Sequence, residues 1–75
     1  MNEQTPTIGR IVLYVSHGSP DGTYLSEDRA AIITSVGIAD QVGLCILNPT
    51  GMFFNECVAY DAGSAPGTWH WPERV

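Results

Sequence analysis

The segment Val42-Gly43-Leu44-Cys45-Ile46-Leu47-Asn48-Pro49-Thr50-Gly51-Met52-Phe53-Phe54-Asn55-Glu56-Cys57-Val58-Ala59-Tyr60 decides the fold. Two apolar runs of strand length flank Asn48-Pro49-Thr50-Gly51, a strong turn signal because Pro presets φ and Asn and Gly tolerate turn conformations. Residues 42–48 and 52–60 therefore read as a β-hairpin. In the second run Phe53, Asn55, Cys57 and Ala59 alternate with Phe54, Glu56, Val58 and Tyr60, the period of a strand. In the first run Leu44 and Ile46 alternate with Cys45 and Leu47, so this strand is apolar on both faces. A domain this small has one interior. The second apolar set must be covered by another chain or form an exposed patch, which predicts a homo-oligomer.

Upstream, residues 29–37 (RAAIITSVG) read as a strand on the strength of Ile32, Ile33, Thr34 and Val36, and a turn follows around 38–41. Residues 9–16 (GRIVLYVS) form the first strand. Arg10, Val12 and Tyr14 point one way, and Ile11, Leu13 and Val15 point the other and are expected to face the core. Residues 17–28 make the longest irregular stretch, with the turn signal Pro20-Asp21-Gly22, and loops of that length tend to be functional or disordered. Downstream, 61–67 (DAGSAPG) is a loop and 68–71 (TWHW) a last short strand stopped by Pro72. Five short strands with a long first loop predict a single mostly-β domain over 1–75, an SH3-like five-stranded barrel with a flexible arm at 1–7 and a tail at 72–75.

Composition narrows the function. There is no lysine, the three arginines are Arg10, Arg29 and Arg74, and eight acids bring the net charge to −5. Binding a nucleic-acid polymer through its phosphates needs a basic stripe, which is missing. A small nucleotide is compatible with one or two arginines, backbone N–H groups and an aromatic platform. Residues 1–7 carry Glu3 rather than a basic cluster and do not read as a signal peptide, and no segment approaches membrane-spanning length. Cys45 and Cys57 lie in apolar runs and read as buried free thiols in a reducing compartment, with a single hairpin disulfide as the alternative. A chain of 75 residues buries only about 60% of its unfolded surface, a second reason to expect partner subunits.

Trp69-His70-Trp71 is the most distinctive cluster. On a strand, both indoles share one face and the imidazole takes the other, so the tryptophans can stack a nucleobase while His70 meets a phosphate. Equally, large side chains at the C-terminal strand can plug the core. His17, within SHGSPDG, sits among residues that leave backbone N–H groups free to embrace an anion, or is a surface turn residue. Arg10 and Arg29 are the cations an anionic ligand would use, unless they pair with acids such as Glu27 or Asp28. Tyr14 shares a face with Arg10, and Asn48 and Thr50 can hydrogen-bond a ligand from their turn or serve only to form it. The candidate ligand-binding set is Arg10, Tyr14, His17, Arg29, Asn48, Thr50, Trp69, His70 and Trp71. Neither histidine has metal-ligand spacing around it, and no cofactor motif is present. Ser16 and His17 are adjacent, which puts their side chains on opposite faces of an extended chain, so the sequence offers no nucleophile–base pair and reads as a binder rather than an enzyme.

The opening Thr5-Pro6-Thr7-Ile8-Gly9-Arg10-Ile11-Val12-Leu13-Tyr14, the middle Asn48-Pro49-Thr50-Gly51-Met52-Phe53-Phe54-Asn55 and the close Gly67-Thr68-Trp69-His70-Trp71-Pro72-Glu73 resemble a group of small proteins of tailed phages and prophages. These open with TPTIGRxVxY and end with GTWHWPE. This sequence departs from them in a shortened 35–41 segment and in Leu13, where a histidine is frequent. The resemblance implies phage origin and action in the cytoplasm of a host bacterium. Small acidic oligomeric phage proteins of this size include sponges that sequester nucleotide immune signals, such as cyclic dinucleotides or cyclic ADP-ribose derivatives. By that analogy of fold and size the chain is expected to hold such a signal without cleaving it, at pockets between its own copies. The alternative is a protein–protein interaction module with no small ligand.

Overall fold

A computed structural model describes residues 5–18 and 25–73. Pro20-Asp21-Gly22 lies outside the described residues. The strands are β1 (Ile11–Val15), β2 (Asp28–Val36), β3 (Val42–Asn48), β4 (Gly51–Val58) and β5 (Trp69–His70). They form one antiparallel sheet in the order β4-β3-β2-β1-β5, and no helix is present among the described residues. The expected hairpin is there, with Asn48 paired to Gly51 across a two-residue turn.

The expected five-stranded barrel does not close. β4 and β5 lie at opposite ends of the sheet, and a single parallel bridge, Tyr60 to Trp69, ties the chain after β4 back to β5. Trp69 N donates to Ala59 O and Asp61 N donates to Trp69 O, both at 3.0 Å. The reason is length: β5 has two residues, too few to carry a ladder along β4, so β4 keeps an open edge.

The core comprises Val12, Tyr14, Ala31, Ile33, Val42, Leu44, Ile46, Val58 and Trp69, with Trp71 packed against it. Cross-strand register explains the set: Val12 opposes Ala31, Ala31 opposes Ile46, and Ile33 opposes Leu44. The expected core face of the first strand is therefore inverted, since Ile11 is 60% exposed and Leu13 half-buried, and only Val15 of that set is buried. The polar tips that suggested an outward face are satisfied at the rim of an inward one. The Tyr14 hydroxyl accepts from Asn55 Nδ2 at 3.4 Å, and the Arg10 guanidinium lies over the Trp71 ring at 4.9 Å.

Two register shifts, between Ile33 and Ser35 on β2 and between Val42 and Leu44 against β4, flank Gly43 on both sides. A Cβ at Gly43 would collide with Ser35 Oγ and lie 3.1 Å from Thr34 Oγ1, so a side chain here would force those hydroxyls to turn away. The shift on β4 breaks the expected alternation. Val58 turns inward and Cys57 is exposed, so the thiols are free but not both buried, Cys45 being half-covered.

The outer face carries two apolar cross-strand rows, Ile11–Ile32–Cys45–Phe54 and Leu13–Ala30–Leu47–Met52. Phe54 and Met52 are 69% and 62% exposed, which realises the exposed second face that the alternation of the third strand predicts.

Candidate functional site

A cleft of about 300 Å³ opens at the inner-face end where β2 begins and β3 finishes. Register builds it: Tyr14 opposes Arg29 across β1 and β2, while Ile46 opposes Phe53 across β3 and β4. Tyr14, His17, Arg29 and Asn48, four of the nine expected ligand residues, line this one cleft. Phe53, Phe54 and Asn55 of β4 complete its wall. Sequence reasoning missed these three, although Phe53 and Asn55 alternate directly across the turn from Asn48, which was the available signal.

Arg29 dominates the chemistry. Its side chain is 25% exposed, and a terminal nitrogen lies 3.8 Å from Glu27 Oε1, itself well exposed. Among the described residues its Nε is buried with no hydrogen-bond partner. The Nε is shielded from solvent, so what the cleft can present to an acceptor is the exposed remainder of the side chain. His17 stands at the cleft mouth with its ring over Gly67, whose φ of +83° and missing Cβ leave the room the imidazole occupies. Ser16 fastens the neck of the long loop: its N donates to Glu27 O at 2.8 Å, and its Oγ accepts from Glu27 N at 2.9 Å.

The TWHW residues serve a different place. Trp69 is fully buried, donates from Nε1 to Asp40 O at 2.9 Å, and meets Tyr60 and Trp71 edge-on. Of the two readings open for the tryptophans, Trp69 fits the core plug. His70 and Trp71 line a second cleft of about 390 Å³ with Asp28, Tyr60, Ser64 and Glu73. Arg10 lies outside both clefts, on Trp71, and Thr50 is an exposed turn residue that reaches neither.

In the second cleft His70 Nε2 is 3.7 Å from Asp28 Oδ2, and its Nδ1 is 3.5 Å from Ser64 Oγ, with Ser64 in a left-handed conformation at φ 64°. These are the residue types of a nucleophilic triad, but the backbone around Ser64 is already committed. Gly63 N and Ala65 N donate to the Asp61 carboxylate, Ser64 N to Asp61 O, and Gly67 N to Val15 O. Pro66 has no N–H, so the segment leaves no amide pair to stabilise an oxyanion. Asp61 thus explains the left-handed Ser64 as a structural turn. Among the described residues no group of three or more His, Cys, Asp or Glu side chains is placed to hold a metal ion.

No protein-family model, curated protein or solved structure matches the chain.

Proposed function

We propose that this chain is a phage-encoded, non-catalytic binding protein that sequesters a small nucleotide immune signal, of the cyclic dinucleotide or cyclic ADP-ribose type, in the host bacterial cytoplasm. The observation that carries this reading is Arg29, a guanidinium with a partly exposed side chain in a cleft that Phe53 walls from the inner face. Arg29 pairs with phosphate, a Phe ring stacks the base at about 1–3 kcal/mol, and Asn48, Asn55 and His17 supply hydrogen bonds to the base edge or sugar. A volume of about 300 Å³ is at the lower end for ligand pockets and matches one nucleotide unit. In this reading the bent antiparallel sheet is an open variant of the SH3-like type, and copies of the chain associate through surfaces the monomer leaves apolar.

The test is to incubate the purified chain with cyclic di- and trinucleotides and cyclic ADP-ribose species, filter the protein away, then denature it and assay what is released. Depletion with intact recovery is expected; depletion with altered product means an enzyme. Binding also raises the melting temperature, by about 2.7 kcal/mol of stabilisation at a hundredfold excess over Kd. One observation favours a second reading: the two exposed outer rows would suit a protein–protein module, which predicts no shift with any nucleotide.

A further inference from the structure

We infer that β4 pairs edge to edge with β4 of a second copy, antiparallel across a two-fold axis at Phe54, so that two clefts join into one ligand site. The joined site rests on the nucleotide reading above; the strand pairing does not.

β4 is an eight-residue edge strand with seven residues exposed. Edge strands are normally blunted by Lys, Pro, inward charges or covering loops. Between Gly51 and Val58 there is no Lys, Arg or Pro, and one charge, Glu56. The residues that tie the far end, 59–61, begin only after β4 finishes.

The backbone fixes the register. Asn48 and Gly51 close a two-residue turn as a hydrogen-bonded pair, so by antiparallel alternation Gly51, Phe53 and Asn55 bond to β3. Met52 and Phe54 then turn their N–H and C=O groups outward, and Glu56 stands where the bulge of β4 begins. A two-fold axis normal to the sheet keeps inner face beside inner face. With Phe54 on that axis, Phe54 pairs with itself and Met52 lies opposite Glu56 of the second copy, so the outward groups of Phe54 are used in full. This register also keeps Glu56 away from its symmetry mate, whereas a slip that opposed the two would be repulsive. An antiparallel strand under a two-fold is its own complement, which is why the occupant is a second copy.

The faces agree. On the outer side the row Ile11–Ile32–Cys45–Phe54 meets its mate head to head at Phe54, making one apolar stripe across both sheets. On the inner side Phe53 lies opposite Asn55 of the second copy, which brings that amide to the wall of the first cleft. Phe53 and Phe54 are 61% and 69% exposed. Four such rings, if fully covered, would supply at most on the order of 500 Å² of buried area, to which Met52 and the strand backbone add, against the ~1,000 Å² of a specific interface. Two clefts, each sized for one nucleotide unit, then flank a two-fold axis, an arrangement suited to a dinucleotide that is itself two-fold symmetric.

The experiment uses the full chain. On a Cys45→Ser, Cys57→Ser background, single cysteines are placed at each of residues 52–56 and mildly oxidised, while sedimentation equilibrium gives the mass of the wild type and of Met52→Pro. Met52 lines neither described cleft, and proline there removes an outward N–H without touching the β3 ladder. We expect a dimer, self-crosslinking through Phe54→Cys alone, and at least tenfold weaker association of Met52→Pro. A wild type that stays monomeric, or a crosslink through another position, overturns the pairing. Nucleotide depletion is then compared for the wild type and Met52→Pro. Loss of at least tenfold in the variant supports the joined site, and equal affinity in a monomeric variant overturns it while leaving nucleotide binding intact. A wild-type dimer that crosslinks through Phe54→Cys but depletes no nucleotide overturns the binding reading and leaves the pairing standing.

Discussion

Replacing Arg29 with methionine should strengthen the fold and weaken ligand binding, and the opposite signs make the test sharp. Among the described residues Arg29 has one ion pair, to Glu27 at 3.8 Å, with the two side chains 25% and 58% exposed. Such a pair contributes about 0–1 kcal/mol. Against it stands the buried, unpartnered Nε, whose desolvation costs roughly 1–3 kcal/mol, toward the low end because the side chain is partly in solvent. Methionine keeps the apolar stem against Tyr14 and removes the unused donor. The balance predicts a gain of about 0.5–1 kcal/mol, or a rise of roughly 2–8 °C in melting temperature for a domain this size. Binding moves the other way. A hydrogen bond to a charged group contributes about 1.5–3 kcal/mol, so nucleotide affinity should fall on the order of 10- to 150-fold. Thermal unfolding by circular dichroism and the filtration assay read the two effects separately. A variant destabilised by more than about 1 kcal/mol would mean that Arg29 is satisfied within the chain. A stabilised variant with unchanged affinity would show that the cleft does not read an anion.

Ala39→Gly should stabilise by about 0.5–1 kcal/mol in chemical denaturation, because Ala39 and Asp40 both hold left-handed conformations, φ 56° and 61°, in the turn between β2 and β3. Trp69→Phe should cost roughly 2–3 kcal/mol, since it removes buried volume and the hydrogen bond to Asp40 O, whereas Trp71→Phe should cost less than about 1 kcal/mol; equal losses in urea titrations would contradict the assignment of Trp69 as the core plug. Gly43→Ala should lower stability by about 1 kcal/mol, because its Cβ crowds the Ser35 and Thr34 hydroxyls, which must turn away.

The strands were legible because their runs are short, β-rich and sharply punctuated: residues 42–48 coincide with β3, and both ends of each of the other four strands fall within two residues of expectation. Which face of the first strand turns inward was not legible. Ile11-Val12-Leu13-Tyr14-Val15 is apolar on both sides, and local pattern could not weigh a Tyr hydroxyl that meets Asn55, 41 residues away. The site was half legible. Chemical type singled out Tyr14, His17, Arg29 and Asn48, but no spacing in the chain announces that register gathers them. Conspicuous composition drew attention to Trp69 and Thr50, one of which the core absorbs while the other stays in the turn.

The position of the cleft follows from Gly43. Each neighbour of β3 carries its irregularity opposite this residue, and an extra residue on a strand bends it and increases its twist. The bend directs residues 59–61 toward Trp69, and the same shift turns Val58 rather than Cys57 into the core. From Gly51 to Asn55 the pairing with β3 is regular, so nothing curls that half of β4 toward β5. One end of the sheet is therefore drawn together over Trp69, while the other stays splayed with Arg29, Phe53 and Asn55 around an open space. Because the bulges sit at the far end, the splayed end keeps a straight, unprotected strand edge beside its cleft. The cleft and the open strand edge thus depend on the same stretch of β4, and a change that curled this stretch would remove both together.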